Sequence, residues 1–293
     1  MTTDVSYFPG CSLDGTAREY GESVKAVFKD LDVHLKELPD WNCCGSSSAH
    51  VSDHKLALAL PARDLEIASK IGLDLLVPCA MCYQRLKVAE KALLAGEHIE
   101  GVDGKYQANF QIKHVVDLLW EGIGENAIGS KVKVRLEGLR PVCYYGCLTA
   151  RPPKITDAKN PENPVGMDRL METLGAEVKN WSYKTDCCGG SLMLTRPDIA
   201  LKLTQKLFDM AEEAGANCIV TACPMCMSNL DMRQQEISQI SGKQYHTPAF
   251  FVTELLGIAF GEPDAGKWLG RHTVDPRPLL EQLNLLRTRP QRT

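Results

Sequence analysis

Long apolar runs, an export signal and a basic block are all missing from this sequence of 293 residues. No segment approaches the ~18 consecutive apolar residues that a membrane-spanning helix needs, so no transmembrane segment is predicted. The first residues hold no basic region followed by an apolar run, and we therefore expect no signal peptide. The net charge of −4 is spread along the chain, which disfavours nucleic acid and acidic membrane surfaces as partners.

Two cofactor-binding motifs are also missing. The sequence has no C-x2-C-x2-C-x3-C-P run, so it carries no fused ferredoxin module. It has no GxGxxG followed by an acidic residue at the spacing of a dinucleotide-binding unit, so no nucleotide site is evident.

Cysteine is what the sequence has in excess. Ten of its twelve cysteines form two sets with the same order, namely a lone cysteine, a vicinal pair followed by glycine, and a C-x-x-C motif. The sets are Cys11, Cys43, Cys44, Cys79 and Cys82, and then Cys147, Cys187, Cys188, Cys223 and Cys226. The vicinal pair and the C-x-x-C motif are separated by 34 residues in both sets. Because scattered core cysteines would not repeat order and spacing, the sequence indicates an internal duplication.

The cysteine content also bears on the cellular compartment. Twelve cysteines in a chain without an export signal argue against a disulfide scaffold and for metal or redox use. We therefore expect a cytoplasmic protein in which the vicinal pairs are ligands and not disulfides.

Hydrophobic patterning predicts the same succession of strands and helices in both halves. Short apolar runs predict strands at 5–8, 33–35, 75–77, 142–147, 174–178 and 218–222. Helical periodicity with start and stop signals predicts helices over 16–31, 52–70 and 197–214, and shorter helical segments around 114–122 and 252–256.

Strands that alternate with helices predict an α/β protein. We expect two similar domains related by a pseudo-twofold axis, 1–137 and 138–293, each with a mainly parallel sheet flanked by helices. Two unequal inserts interrupt the repeat. The segment 98–110 is polar, and the segment 150–166 holds four prolines, which predicts an irregular loop. That loop could be a lid, a partner surface or a connector.

The predicted fold brings the cysteines of each half together. In an open parallel sheet, ligands sit beyond the carboxyl ends of the strands, and each cysteine follows a predicted strand directly or after a short loop. The vicinal pairs and C-x-x-C motifs also precede helices, whose N-termini lower thiolate pKa and suit an anionic cluster. Gly45, Gly189 and Gly190 are expected to let the backbone approach a ligand closely.

Thiolate ligands select zinc or iron–sulfur clusters. A structural zinc site closes at four ligands, and each set offers one cysteine more than that. Zinc sites and purely structural thiols remain the alternatives at this point.

The repeated pattern resembles the CCG cysteine-rich domain family, and within it the B subunit of heterodisulfide reductase. The resemblance covers nearly the whole chain. The stretch Cys-Tyr-Tyr-Gly-Cys-Leu-Thr-Ala-Arg-Pro-Pro at 143–153 also resembles the bacterial-type members.

The resemblance implies that each five-cysteine set holds a noncubane [4Fe-4S] cluster, with the two clusters facing each other across a disulfide substrate. It implies that Cys11, Cys43, Cys44, Cys79 and Cys82 ligate the first cluster, and that Cys147, Cys187, Cys188, Cys223 and Cys226 ligate the second. The implied reaction is reductive cleavage of a disulfide, such as the coenzyme M–coenzyme B heterodisulfide, or its reverse on another small or protein-bound sulfur substrate.

The resemblance also implies partners, a ferredoxin-like C subunit and a flavin-bearing A subunit that supply electrons. One rival interpretation is an electron-transfer component of a glycolate, lactate or glycerol-phosphate oxidase complex that passes electrons to quinone. Those relatives often carry fused ferredoxin motifs, which this sequence lacks. A rival from another class is a zinc-stabilised scaffold that only docks partners.

Cysteines and histidines outside the two sets have plainer interpretations. Cys143 and Cys218 lie in predicted apolar strands and are interpreted as buried core thiols. His50 and His54 are interpreted as a solvated helix start, with a pocket proton donor as the alternative. His114 and His246 have no partner at ligand spacing and are interpreted as ordinary residues.

Aromatic residues near the cysteines leave alternatives open. Trp41 and Trp181 precede the vicinal pairs and could shield a cluster from water or simply pack in a core. Tyr144, Tyr145 and Lys184 could contact a substrate, although no spacing argument selects them.

Overall fold

The computed structural model describes residues 3–46, 49–102 and 106–286. The first half begins with the elements β1 (Thr3–Tyr7), α1 (Gly10–Asp14), α2 (Arg18–Asp30), β2 (Val33–Glu37), α3 (Ala49–Ser52), α4 (His54–Ile71), β3 (Leu75–Val77) and α5 (Ala80–Leu94). It continues with β4 (Ile112–His114), α6 (Val115–Asp117), a π-helical turn (Leu118–Ile123) and α7 (Glu125–Lys131).

The described part of the second half has three strands where the first half has four. Its elements are β5 (Pro141–Tyr144), α8 (Pro153–Thr156), α9 (Gly166–Thr173), a 3-10 turn (Gly190–Leu192), α10 (Pro197–Glu213), β6 (Cys218–Thr221), α11 (Pro224–Met232), α12 (Gln234–Ser241), β7 (Ala249–Phe251), α13 (Val252–Phe260), α14 (Ala265–Leu269) and α15 (Arg277–Gln282).

Two parallel sheets organise these elements. The first has the strand order β2-β1-β3-β4 and the second has the order β5-β6-β7. All five strand pairs are parallel, and helices connect the strands, as parallel pairing requires. The α/β class with two parallel sheets flanked by helices, which the sequence predicts, is confirmed. The division at residue 138 stays a prediction.

The strand predicted at 174–178 is not formed. Glu177 N–H donates to the Leu139 carbonyl at 2.9 Å and Lys179 N–H donates to the Pro141 carbonyl at 2.8 Å. The segment therefore runs alongside the outer edge of β5, where β2 lies beside β1 in the first sheet. Since only these two ladder bonds are made, it contributes an extended edge and not a regular strand.

The sequence analysis also missed two strands, β4 and β7. Each has only three residues and leads directly into a helix. The predicted segment around 114–122 is helical, but it begins as a short α6 and continues as the π-helical turn. Runs as short as three residues carry too little periodicity to be distinguished from a helix start.

Helix termini agree with the sequence signals. Asp53 precedes α4 and its carboxylate accepts hydrogen bonds from Lys55 N–H at 2.8 Å and Leu56 N–H at 3.1 Å, which is the usual role of an N-cap aspartate. Gly72 ends α4 in the left-handed conformation, as a C-terminal glycine commonly does. No helix in the described part of the chain combines the length and apolar character needed to cross a membrane.

The two halves share one core. A single cluster of buried side chains runs from β1 and α2 of the first half into β5, β6, β7 and α13 of the second. Tyr20 on α2 stacks on Phe251, with ring centroids 4.0 Å apart and planes 4° apart. Beside them, the buried hydroxyls of Ser23 and Thr253 are 2.7 Å apart. The α2–α13 contact therefore fixes the halves against each other.

The proline-rich segment 150–166 lies between β5 and α9 of the second half and is not wholly irregular, because it contains the one-turn helix α8. Tyr83 of α5 donates a hydrogen bond to its Thr156 carbonyl at 3.1 Å. Asp157 pairs with Lys87 at 3.0 Å and Lys91 at 2.7 Å, both on α5. The segment is thus held against the first half, along a groove of 570 Å³ that it forms with α5 and β4.

A buried ion pair lies next to this core. His272 Nε2 is 2.9 Å from the Glu254 carboxylate, and both side chains are almost fully buried. Burial alone would lower the pKa of His272, but the negative charge of Glu254, helped by Asp231 and Glu19, raises it to about 9. His272 is therefore a cation in the folded protein at neutral pH.

This pair predicts a pH-dependent stability. The unfolded histidine has a pKa near ~6.5, so the stabilisation is complete below about that pH and is lost as the pH rises through about 9. We expect the difference in melting temperature between wild type and His272→Gln to be largest in mild acid and to shrink towards pH 9. His246→Gln at an exposed position is the matched control. A difference independent of pH would contradict the ion pair.

Candidate functional site

The carboxyl ends of the strands deliver the cysteines to one region. Cys79 follows β3 and caps the N-terminus of α5, and Cys223 follows β6 and caps α11. Cys11 lies in α1 directly after β1, and Cys147 follows β5. The vicinal pairs lie in the loops after β2 and after the extended edge segment. The structure thus brings together all ten cysteines that the sequence analysis singled out.

Within the first set the five sulfurs follow one another in contact. Cys43 Sγ is 3.7 Å from Cys11 Sγ, and Cys44 Sγ is 3.1 Å from Cys82 Sγ. Cys43 also contacts Cys44, and Cys82 contacts Cys79. The lone cysteine is exposed, while Cys79 and Cys82 are buried.

The second set repeats this arrangement. Cys147 and Cys187 are near enough to shift each other's pKa, and so are Cys226 and Cys223. Cys188 Sγ is 3.7 Å from Cys226 Sγ. All twelve cysteines are free thiols in the structure. Among the described residues, no three cysteine, histidine or carboxylate groups close around a point where a single metal ion could bind.

The two sets meet at Cys79 and Cys223. Both thiols are buried, and each shifts the pKa of the other across the boundary between the halves. The first set therefore adjoins the second at these two cysteines. The two sets lie side by side and not on opposite faces of the molecule.

The backbone at this junction is held by two side chains. The carbonyl of Pro78, just before Cys79, is 3.2 Å from the Tyr20 hydroxyl and 3.0 Å from His114 Nε2. The carbonyl of Ala222, just before Cys223, is 3.1 Å from the same hydroxyl and 3.2 Å from the same nitrogen. His114, interpreted from the sequence as an ordinary residue, thus holds backbone at the junction.

Contacts between neighbouring thiols shift their pKa values in opposite directions. Hydrogen bonds from Cys11 and Cys44 lower the pKa of Cys43 to about 2, and the hydrogen bond from Cys147 lowers that of Cys187 to about 6. The same contacts raise the pKa of Cys11 and of Cys147. Each set thus holds at least one thiolate, the form that binds metal.

Buried polar side chains anchor the vicinal pairs. Asp64 of α4 accepts a hydrogen bond from Asn42 N–H at 2.9 Å, directly before Cys43. Burial raises the pKa of Asp64 to about 7. In the second half, Thr204 and Asn229 donate to the Cys188 carbonyl at 3.0 and 2.8 Å. Helices on both sides of each sheet therefore fix where the paired sulfurs lie.

Two glycines that the sequence analysis missed are essential to this packing. Gly10 and Gly146 precede the lone cysteines, and both have φ of +69°. A Cβ on Gly10 would lie 2.9 Å from Cys82 Sγ, and one on Gly146 would lie 3.1 Å from Cys226 Sγ. The signal was present in the sequence, because a Gly-Cys dipeptide stands at the same place in both halves.

The glycines that were expected to approach a ligand have a different role in two of three cases. A Cβ on Gly45 would meet Ala49 and Leu60, and one on Gly189 would meet the backbone of Ala200. These glycines allow the loop to pack on the following helix. Gly190 does face sulfur, since its Cβ would lie 3.5 Å from Cys188 Sγ.

A cavity of 130 Å³ opens beside the junction. Four cysteines of the second half's vicinal pair and C-x-x-C motif line it together with Cys147, whereas the first half contributes Ala80, Met81, Arg85, Ser46 and His50. None of the five cysteines of the first set, all of them among the described residues, lines the cavity. The cavity is therefore asymmetric, with thiols on one wall and polar or apolar side chains on the other.

Two polar atoms in this cavity wall are unsatisfied. His50 Nδ1 and Arg85 Nε are buried without a hydrogen-bond partner among the described residues. Buried polar atoms normally have partners, so these two are available to a bound molecule. His50 therefore fits the pocket alternative, while His54 is exposed at the start of α4, as expected of a solvated helix start.

Tyr144, Tyr145 and Lys184 are tied into the protein. The Tyr145 ring lines the cavity, but its hydroxyl donates to Asp168 at 2.6 Å. Lys184 pairs with the same carboxylate at 2.8 Å, and its carbonyl accepts from Tyr145 and Gly146 N–H. Tyr144 donates to the Asp186 carbonyl at 2.6 Å. These groups shape the turn that presents Cys147.

The tryptophans and the two remaining cysteines belong to the core. Trp41 packs edge-on against Phe8 at 5.4 Å, and Trp181 donates to the Cys143 carbonyl at 3.0 Å. Neither ring lines the cavity. Cys143 and Cys218 are fully buried in β5 and β6, where the sequence placed them.

Fold and site together define an α/β protein of two parallel sheets with a thiol-lined junction between its halves. The model of the cysteine-rich domain (CCG) family matches residues 5–87 and 142–231. The chain belongs to this family, and the resemblance inferred from the cysteine spacing is confirmed.

Relatives of the chain span nearly its whole length. It is 30% identical over 284 residues, 95% of this chain and 100% of the relative, to the 8-methylmenaquinol:fumarate reductase membrane anchor subunit of Wolinella succinogenes. It is 27% identical over 272 residues, 89% of this chain and 90% of the relative, to the B subunit of the ferredoxin/F(420)H(2)-dependent CoB-CoM heterodisulfide reductase of Methanosarcina acetivorans. A protein of Archaeoglobus profundus, named for its likeness to the heterodisulfide reductase B subunit, is 26% identical over 87% of this chain and 89% of its own length.

A solved structure shares the fold. A hypothetical protein from Helicobacter pylori matches with a TM-score of 0.71 and 13% identity, over 93% of this chain. This chain spans about half the length of that protein, since the match covers 52% of it. At this identity the likeness supports the fold alone.

The glycine packing predicts a specific defect. Gly146→Ala should lower the metal bound by the second set, because the new methyl group displaces Cys226 Sγ. The matched control is Gly215→Ala, which has a similar φ of +76° but open space around the Cβ. Both changes carry the backbone cost of roughly 1–2 kcal/mol for a left-handed residue. Equal metal content per folded chain in the two variants would contradict the steric argument.

Proposed function

We propose that this chain is the redox-active component of a heterodisulfide reductase-like complex, holding two noncubane [4Fe-4S] clusters and reductively cleaving or reversibly forming a disulfide between them. Cys11, Cys43, Cys44, Cys79 and Cys82 would hold one cluster. Cys147, Cys187, Cys188, Cys223 and Cys226 would hold the other. Relatives named as the B subunit of a heterodisulfide reductase, aligned over almost the entire chain, support this choice.

The observation that carries the proposal is that the two cysteine sets adjoin at Cys79 and Cys223, since the carbonyls just before these residues lie 3.0–3.2 Å from the same two side-chain donors. Breaking one disulfide takes two electrons and leaves two thiolates to be stabilised. Two identical sets placed side by side can each receive one sulfur of the same substrate. Sets on opposite faces of the molecule could not share a substrate in this way.

The donor set fits iron–sulfur clusters. Five thiols in each half, with at least one already deprotonated, suit soft-metal binding. Within each set the sulfurs follow an extended line of contacts, which matches a cluster of several irons better than one tetrahedral ion. Buried carbonyl and N–H groups around the vicinal pairs are satisfied by Asp64, Thr204 and Asn229, so the ligands are held before the metal arrives.

When bound, the clusters supply single electrons and iron positions that can accept thiolate sulfur. The chain's own residues supply the pocket. Met81, Leu148 and Met225 line the cavity and keep water away from the sulfurs. Arg85 and His50 line the same cavity, where Arg85 can orient a polar group of the substrate and His50 can hand a proton to a departing thiolate.

The need for partner subunits is inferred from two motifs that the sequence lacks. Without a fused ferredoxin or nucleotide motif, electrons have to arrive from other subunits. We propose a ferredoxin-like C subunit and a flavin-bearing A subunit, in keeping with relatives that are named as subunits of reductases. We propose the cytoplasm as the location, because thiol-rich proteins keep their cysteines reduced there.

A second candidate function has specific support. The Wolinella succinogenes relative, at 30% identity over its whole length, is named as part of a reductase that uses 8-methylmenaquinol. The same two clusters could then pass electrons between a quinol and a partner enzyme. The cavity walls formed by Met81, Leu148 and Met225 also suit an apolar ring.

Turnover measurements separate the two functions. The anaerobically purified protein should contain about eight irons with matching acid-labile sulfide per chain. With a reduced dye as electron donor, it should reduce small disulfides faster than menaquinone analogues. Faster quinone reduction would favour the second candidate, and one or two zinc ions without sulfide would support a docking scaffold instead.

The ligand assignment predicts unequal roles for the cysteines. Cys187→Ala removes a thiolate from the second set and should abolish that cluster's signal and turnover while the first cluster persists. Cys218→Ala trims a buried core side chain, at a cost of about 1 kcal/mol or somewhat more, and should keep both clusters. Iron content and electron paramagnetic resonance measure the outcome. A full cluster complement in the Cys187 variant, or a lost cluster in the Cys218 variant, would show the division to be wrong.

A further inference from the structure

The junction between the two halves depends on two hydrogen-bond donors and two acceptors. The acceptors are the carbonyls of Pro78 and Ala222, which belong to the peptide bonds that lead into Cys79 and Cys223. The donors are the Tyr20 hydroxyl and His114 Nε2, each within 3.0–3.2 Å of both carbonyls. Tyr20 and His114 are almost fully buried, so water does not replace these contacts.

The chemistry of the four groups fixes their roles. A carbonyl can only accept, so the tyrosine must donate its O–H and the histidine must carry its proton on Nε2. Each hydrogen is shared between a carbonyl of the first half and a carbonyl of the second. Each donor therefore draws the two C-x-x-C turns to a common point, and its loss leaves two buried acceptors short of a partner.

The sequence repeat does not explain this arrangement. His114 ends β4, and the corresponding residue at the end of β7 is Phe251, which has no hydrogen to donate. Tyr20 stacks on Phe251 with the ring centroids 4.0 Å apart. The Tyr20 hydroxyl supplies the hydrogen bonds that a histidine at position 251 could have supplied. Both donors therefore come from the first half, and the second half supplies Phe251, which supports the Tyr20 ring.

We propose that Tyr20 and His114 are positioning residues that lock the two C-x-x-C turns together and so set the separation and electronic coupling of the two clusters. The inference rests on the proposed function for the presence of the clusters. Neither residue lines the thiol cavity, so both act through the backbone of Cys79 and Cys223. Small displacements of reacting groups lower the reaction rate strongly. Loss of these hydrogen bonds should therefore slow any reaction that needs both cysteine sets.

Four variants test the donors. Tyr20→Phe keeps the ring that stacks on Phe251 and removes only the hydroxyl. His114→Leu removes the N–H, whereas His114→Gln retains an N–H donor near the same place and should restore wild-type behaviour. The double variant Tyr20→Phe with His114→Leu leaves both carbonyls without either donor.

Ser23→Ala is the matched control. The Ser23 hydroxyl is also buried and also bonds across the halves, to Thr253 at 2.7 Å. It donates to the backbone carbonyl of Tyr20 at 3.0 Å, but it makes no hydrogen bond with the carbonyls of Pro78 and Ala222. A residue that merely stabilised the interface would behave like Ser23. Tyr20 and His114 should differ from it in the properties of the clusters.

Electron paramagnetic resonance of the reduced holoprotein provides the readout. Iron and sulfide content should stay at the wild-type level in all variants. Spin–spin coupling between the clusters should weaken in Tyr20→Phe and His114→Leu and nearly vanish in the double variant. At a fixed potential, the ratio of reduced to oxidised cluster should shift by about tenfold in the double variant, which is about 59 mV for one electron. Unchanged coupling and potential in the double variant would overturn the proposal.

A second measurement separates this inference from the proposed function. If the purified protein lacks iron–sulfur clusters, the proposed function fails, and the lock is then tested by amide hydrogen exchange of the protein as isolated. Exchange in segments 75–83 and 218–227 should speed up at least tenfold in the double variant but not in Ser23→Ala. Equal exchange in the two variants would overturn the lock itself.

Discussion

The structure depends on the meeting of two helix N-termini, those of α5 and α11, at the boundary between the halves. Each begins with a cysteine that directly follows a buried strand, and the preceding carbonyls share the same two donors. Because β3 and β6 are central strands of their sheets, neither turn can move without disturbing a sheet. The remaining cysteines are placed by reference to these two turns.

Steric constraints at four glycines also determine where the cysteine sulfurs lie. Gly10 and Gly146 leave room for the second sulfur of each C-x-x-C motif, and Gly45 and Gly189 let each vicinal pair pack against a helix. Polar groups of α4, α10 and α11 hold the loops that carry the paired cysteines. A site prepared in this way loses little conformational entropy when metal binds. The asymmetry of the cavity, with Arg85 and His50 on one wall, then gives a bound molecule a defined orientation.

The sequence was sufficient for the fold class and for the convergence of the cysteines, because strand order and cysteine spacing repeat in both halves. It was insufficient where the surrounding structure decides whether a segment pairs as a strand. The segment 174–178 lies at the edge of the second sheet and makes only two ladder hydrogen bonds with β5 and the residues before it. The sequence also could not identify His114 or Arg85. Their roles arise from contacts between distant segments, such as His114 with Ala222, which no local pattern records. The glycines before Cys11 and Cys147 were visible in the repeat, but their function needed the positions of the sulfurs.

The central claim is that two iron–sulfur clusters lie side by side at the junction of the halves. Anomalous diffraction at the iron absorption edge, from crystals of the anaerobically prepared protein, tests it most directly. The account predicts two separate groups of iron, one bounded by cysteines of residues 11–82 and one by cysteines of residues 147–226, on either side of the contact between Cys79 and Cys223. A single zinc ion in each half, or iron bound away from this junction, would contradict it.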